Sequence, residues 1–178
     1  FQMIYCYKGW AKVLYENQGE SIIMKSGDCV LQPPGIRHRV LESSTGLEVI
    51  EINSPAEHMT GRDHSIKLPS EKVDSDRLFN GQKFLHHQAN SGNSGELGIR
   101  EATNGMMSAS IIHPNNQFSQ NLEGKFFFNI VLQGDCELVF DKNYSFSAGG
   151  AFIIPAGEEL LLDHCSNDLK ILQVVELT

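Results

Sequence analysis

The feature that most limits this chain is that it repeats itself. Short apolar segments of strand length, punctuated by Gly, Pro, Asn and Asp, run through the 178 residues in two series. Gly9 recurs as Gly134, 125 positions on, and Pro33-x-Gly35 recurs as Pro155-x-Gly157, 122 positions on. The closing segments match as well, residues 48–52 (EVIEI) beside residues 173–177 (QVVEL), again 125 apart. A repeat of this kind reduces the problem to one small unit folded twice. Many short runs at regular spacing with turn residues between them predict an all-β sandwich or barrel.

Strands are expected over residues 3–7, 11–15, 21–24, 28–31 and 47–52 in the first copy. In the second they are expected over residues 82–87, 97–101, 106–113, 126–133, 136–140, 151–154, 159–163 and 170–177. The domains then run 1–56, a connector over 57–81 that allows one helical turn near 70–79, and 82–178. The second copy has about fifty residues ahead of Gly134, whereas the first has eight ahead of Gly9. The first barrel is therefore expected to lack its opening strands here, and two strand edges with them.

Hydrophobic residues make up 40% of the chain, enough for a core, and the formal net charge of −8 argues against nucleic acid as a partner. No run approaches the ~20 apolar residues of a membrane helix, and no secretory leader is evident. Cys6, Cys29, Cys136 and Cys165 form no C-x-x-C pair, so they read as buried, reduced thiols of a cytoplasmic protein.

The chemistry concentrates in Gly27-x5-Pro33-x-Gly35-x2-His38. Gly27 turns the chain into an apolar strand, Pro33 and Gly35 make a tight turn, and His38 enters the next strand with its ring expected to point inward. A neutral imidazole there suits a metal ion. Arg37 and Arg39 alternate with His38 and are expected to face away and pair with acids. This segment resembles the second motif of the cupin superfamily, which ends in a metal-binding His. Glu42 stands where that motif usually has Asn. The resemblance implies two tandem cupin (double-stranded β-helix, or jelly-roll) barrels, a bicupin.

By the same resemblance Gln2 occupies the carboxylate-ligand position of the first cupin motif, and that motif's two histidines would precede Phe1. A divalent ion (Fe, Mn, Ni or Zn) is expected in the first barrel only, held by His38 and Gln2. In the second copy Leu160 and Phe127 stand at those positions and cannot bind a metal. Tyr5, Tyr7 and Glu51 are cavity-lining candidates. His58, His64 and His113 read as loop or turn residues, and the adjacent His86 and His87 point to opposite faces. The implied activities are a metal-dependent dioxygenase or isomerase acting on a small molecule. The alternative is a non-catalytic ligand-binding or sensor protein, a homodimer through its second barrel.

Overall fold

In the computed structural model the described residues are 1–57, 59–62, 67–68, 73–89, 95–121 and 123–177. They divide into two compact units, Phe1–Gly92 and Asn93–Thr178. The expectation of a nearly all-β chain built from two jelly-roll units holds. Among the described residues no helix is long and apolar enough to cross a membrane.

The first unit contains β1 (Gln2–Lys8), β2 (Trp10–Tyr15), β3 (Ile22–Lys25), β4 (Cys29–Leu31), β5 (His38–Ser43), β6 (Glu48–Asn53) and β7 (Leu85–His87). They form two antiparallel sheets, in the orders β6-β1-β4-β7 and β3-β2-β5. Alternation along the strands builds the core between them. Cys6, Ala11, Val13, Tyr15, Met24, Val30 and Ile36 are buried together, joined by Phe79 from the connector.

The second unit contains α1 (Ile99–Ala102), β8 (Met107–Ile112), β9 (Asn116–Asn121), β10 (Phe126–Gln133), β11 (Asp135–Val139), β12 (Asn143–Ser147), β13 (Ala151–Pro155), β14 (Glu159–Cys165) and β15 (Lys170–Glu176). Its sheets run β13-β10-β15-β8 and β12-β11-β14-β9.

The repeat is a repeat of devices as well as of strands. Gly9 and Gly134 both turn their hairpins at φ 77°. At each, a Cβ would collide with a serine hydroxyl, Ser44 in the first unit and Ser166 in the second. Those hydroxyls accept from the next backbone N–H, Trp10 N and Asp135 N, each at 3.0 Å. Only glycine combines that backbone angle with so close an approach.

Register corrects one part of the alignment. Gln2 pairs with Asn53 and Ile4 with Glu51, while Phe127 pairs with Val175 and Asn129 with Gln173. Residues 48–53 therefore correspond to 170–175, an offset of 122 rather than 125. The similar lettering of residues 48–52 and 173–177 misleads because both are alternating apolar runs. The three-residue difference lies in the β2–β3 hairpin: Val13 pairs with Ile22, whereas its counterpart Leu138 pairs with Tyr144.

Three other expectations change. Residues 97–101 do not form a strand: Gly98 adopts φ 75° and starts the short helix α1, whose Ile99 and Ala102 are buried three residues apart. The strand expected at 82–87 is shorter, and as β7 it pairs with β4 inside the first unit. The described part of the 70–79 segment carries a turn and no helix. The expected open edges are present: among the described residues β5 pairs only with β2 and β6 only with β1. Their counterparts β14 and β15 are also covered by β9 and β8. All six residues of β5 are exposed, Val40 at 59%.

The connector is tied down electrostatically. Glu16, at the end of β2, is 4% exposed. It accepts from Arg37 Nη2 at 2.5 Å and Nε at 3.0 Å, and from Arg77 Nη1 at 3.1 Å. Arg37 thus faces away from His38 and pairs with an acid, as its alternation predicts. Asp74 N donates to Asn17 O at 2.8 Å beside this cluster. The hydrogen bonds from Arg37, with those from Arg77, lower the Glu16 carboxyl from its ordinary 4.5 to about 2, against the upward pull of burial. A carboxyl lowered in the folded state stabilises above its ordinary value and loses that contribution as pH falls towards its folded value. Glu16 therefore contributes about 3 kcal/mol at neutral pH, lost between pH 5 and 2. Urea midpoints measured across that range should fall steeply in the wild type and distinctly less in Glu16→Gln.

Candidate functional site

The inward face of the first unit is apolar at one end and polar at the other. On β1, Gln2, Ile4 and Cys6 share a face by alternation, and Ile4 and Cys6 belong to the core. Residues directly opposite in an antiparallel pair lie on the same side. Asn53 and Glu51, opposite Gln2 and Ile4, therefore share that face. So does His38, opposite the buried Tyr15 on β2. Gln32 follows β4 and joins this face, its N–H donating to Gln2 O at 2.8 Å.

These side chains form one hydrogen-bonded line. Tyr15 Oη donates to Gln32 Oε1 at 2.7 Å, and Gln32 Nε2 donates to Gln2 Oε1 at 2.9 Å. Gln2 Nε2 then donates to Glu51 Oε1 at 2.7 Å, and Asn53 Nδ2 donates to the same oxygen at 3.0 Å. The His38 ring lies against Tyr15 with centroids 5.6 Å apart, and Phe84 packs on Tyr15 at 4.5 Å. Tyr15 and Gln32 are buried, whereas His38 and Glu51 are exposed. Burial pushes the Tyr15 hydroxyl well above its ordinary value, which keeps it a neutral donor. Each amide is oriented by its neighbour, so the line has a direction, from Tyr15 to the Glu51 carboxylate.

The second unit shows what the same positions look like without this line. Gln2, Gln32, His38 and Asn53 correspond to Phe127, Ile154, Leu160 and Val175, all four in the buried core. The polar line of one copy is a hydrophobic plug in the other. Only the Glu51 position stays polar, as Gln173, whose Nε2 donates to Asn129 Oδ1 at 3.1 Å and to Gln120 Oε1 at 3.3 Å.

Of the residues singled out from sequence, His38, Gln2 and Glu51 share this face. Tyr5 does not: it alternates with Ile4 and lies with Met3 on the opposite face, buried. Tyr7 sits at the bulge between Cys6 and Lys8, with the Lys8 ammonium 5.1 Å from its ring centre. Gln32, Tyr15 and Asn53 were missed. Reading the repeat at offset 122 beyond the hairpin would have flagged Gln32 and Asn53, polar residues whose counterparts are Ile154 and Val175. His86 Nε2 is 3.7 Å from Asp28 Oδ2, and His58 and His64 lie outside the described residues. All four cysteines are buried free thiols.

The donor set bears on the metal expectation. Among the described residues no three His, Cys, Asp or Glu side chains converge as a metal-binding group. Gln2 has both ends of its carboxamide engaged, one by Gln32 and one by Glu51. The residues present do not by themselves fit a metal centre.

The two copies predict different costs of truncation. Phe127→Ala should destabilise by about 3–5 kcal/mol, since it opens a cavity in a closed core. Gln2→Ala, at a partly exposed hydrogen-bonded position, should cost about 1 kcal/mol. Thermal or urea unfolding of the two variants checks this.

No protein-family model and no curated protein matches the sequence. Solved structures do match. A structure of oxalate decarboxylase aligns over 98% of this chain and 62% of its own, with a TM-score of 0.64 at 11% identity. Salicylate 1,2-dioxygenase from Pseudoaminobacter salicylatoxidans aligns over 98% and 64%, with a TM-score of 0.62 at 9% identity. A cupin 2 conserved barrel domain protein from Leptotrichia buccalis aligns over 98% and 73%, with a TM-score of 0.51 at 14% identity. The chain thus spans somewhat less than two thirds of the two enzymes it resembles. Together with the repeated strand order and the motif ending in His38, these likenesses identify the fold: this chain carries the cupin fold in two copies.

Proposed function

We propose that the first unit is a cupin-type small-molecule binding unit and that the second is a scaffold. The observation that supports this most directly is the polar line Tyr15–Gln32–Gln2–Glu51, set against the plug of Phe127, Ile154, Leu160 and Val175 in the other copy. Buried polar groups cost stability relative to an apolar filling. The second copy fills the positions of Gln2, Gln32, His38 and Asn53 with apolar core and keeps a polar side chain at the Glu51 position, Gln173, bonded to Asn129. A ligand supplies the reason for keeping polar groups in the first copy: Glu51 stands exposed where the line ends, and His38, also exposed, lies against Tyr15 where it begins.

The second reading is a metal-dependent enzyme, a dioxygenase or an isomerase. It is favoured by the cupin-like motif ending in His38 and by the inward strand position of that residue. A bound divalent ion would supply Lewis-acid or oxygen chemistry. What the chain itself contributes is orientation, through the Tyr15 ring against His38 and the Gln32 amide against Gln2.

One experiment separates the two. Elemental analysis of the purified protein is combined with a calorimetric screen of small fragments, using wild type, His38→Ala and Gln32→Leu. Fragment binding lost in Gln32→Leu, with no stoichiometric metal in any sample, is the outcome expected for a binding unit. Stoichiometric metal that disappears in His38→Ala would favour the enzyme. Fragment binding that survives both substitutions would place the site elsewhere and defeat the proposal.

A further inference from the structure

We propose that the edge of β13 in the second unit is a self-association surface, on which β13 of a second copy of this chain adds antiparallel about a two-fold axis at Phe152. The two copies of the fold differ at this place. In the first unit β4 lies between β1 and β7, with Cys29 opposite His87 and Leu31 opposite Leu85. Its three residues, Cys29, Val30 and Leu31, are fully buried. β13 is the counterpart of β4 at the offset of 122, with Ala151–Ile153 standing for Cys29–Leu31. Among the described residues β13 pairs with β10 alone and ends its sheet. Ala151 is exposed and Ile153 is 59% exposed. The second unit thus leaves open a strand position that the first unit fills.

The backbone of β13 is turned to receive a strand. Val131 N donates to Gly150 O at 2.9 Å, and hydrogen-bonded pairs alternate along an antiparallel ladder. The bonded pairs with β10 are therefore Asn129 with Phe152 and Phe127 with Ile154. The N–H and C=O groups of Ala151 and Ile153 point the other way, to the edge, as those of Cys29 and Leu31 point to β7. An exposed row of this kind is a template for a further strand. With the axis at Phe152, Ala151 of each copy faces Ile153 of the other, and the two residues exchange N–H and C=O. Pro155 has no N–H to give and ends the ladder beyond Ile153.

Side chains and charge favour a second copy as the occupant. The two-fold pairing sets a large side chain against a small one, Ile153 against Ala151, so neither crowds the other. Phe128 lies opposite Ile153 within the unit and shares its face, so apolar surface continues inward from the edge. No charged residue occurs between Lys142 and Glu158. A chain of net charge −8 repels itself and meets itself at least cost where it carries no charge. The open edges of the first unit differ in this respect: β5 carries Arg39 and Glu42, and β6 carries Glu48 and Glu51. A patch that pairs with itself about a two-fold axis closes the assembly at a dimer. The contact is short, so the association is weak and depends on concentration.

The test is sedimentation equilibrium on the full 178-residue protein, from about 5 to about 200 µM, the range of a weak interface. Residue-resolved amide exchange is followed over the same range. The wild type should shift from monomer to dimer, and the Ala151 and Ile153 amides should exchange more slowly at the high end. Ile153→Lys puts a charge on the edge of both copies and should weaken association at least about tenfold. Its thermal midpoint should match the wild type, since residue 153 is exposed. Val40→Lys, a charge on the β5 edge, should associate as the wild type does. A wild type that stays monomeric throughout the range would overturn the inference. So would a dimer that Ile153→Lys leaves intact, or one that only Val40→Lys abolishes. Should Ile153→Lys fail to fold, the concentration dependence of the two amides in the wild type decides alone.

Discussion

The account depends on the register of β1 between β4 and β6. Ile4 faces Val30 on one side and Glu51 on the other, and Gln2 faces Asn53. That pairing decides which side of β1 looks into the first unit. A slip of one residue would present Met3 and Tyr5 in place of Gln2, Ile4 and Cys6, because strand side chains alternate with a period of two. The core cluster and the polar line both follow from that choice. The apolar residues Ile4, Cys6 and Val30 hold the register, and Gln2 is carried inward as the next residue on the same face.

The two copies show how one backbone plan serves two ends. The Gly9 and Gly134 hairpins, each supported by a serine hydroxyl, repeat with the same angle and the same bond length. What differs is the filling. In the second unit Phe127, Ile154, Leu160 and Val175 convert the inner end into apolar core, which is the inexpensive solution thermodynamically. The first unit keeps amides, a phenol, an imidazole and a carboxylate in the corresponding region. Tyr15 and Gln32, the buried residues of that set, are bonded to one another and to Gln2, whereas Asn53 Oδ1 is buried without a hydrogen-bond partner among the described residues.

Much of the fold was legible in the sequence because it is carried by local signals. Gly9 and Gly134, and the two Pro-x-Gly turns, mark hairpins by backbone geometry. The motif points His38 inward, and its alternation with Arg37 and Arg39 turns Arg37 outward towards an acid; that the acid is Glu16 appears only in the structure. What was not legible is long-range. The pairing of β7 with β4 joins residues far apart in sequence, and no pattern within 82–87 announces it. The helix at Ile99 hid behind an apolar run too short to separate strand from helix by periodicity. Tyr15 and Gln32 carry no motif of their own. Their role appears only when three strands bring the phenol and two amides within hydrogen-bonding distance.

The most direct measurement is to locate a bound small molecule by residue-resolved chemical-shift mapping on the full chain. The account predicts that the largest shifts fall on Gln2, Gln32, His38 and Glu51, with Phe127, Ile154, Leu160 and Val175 unmoved. Shifts concentrated on those four apolar residues, with the polar line silent, would contradict it.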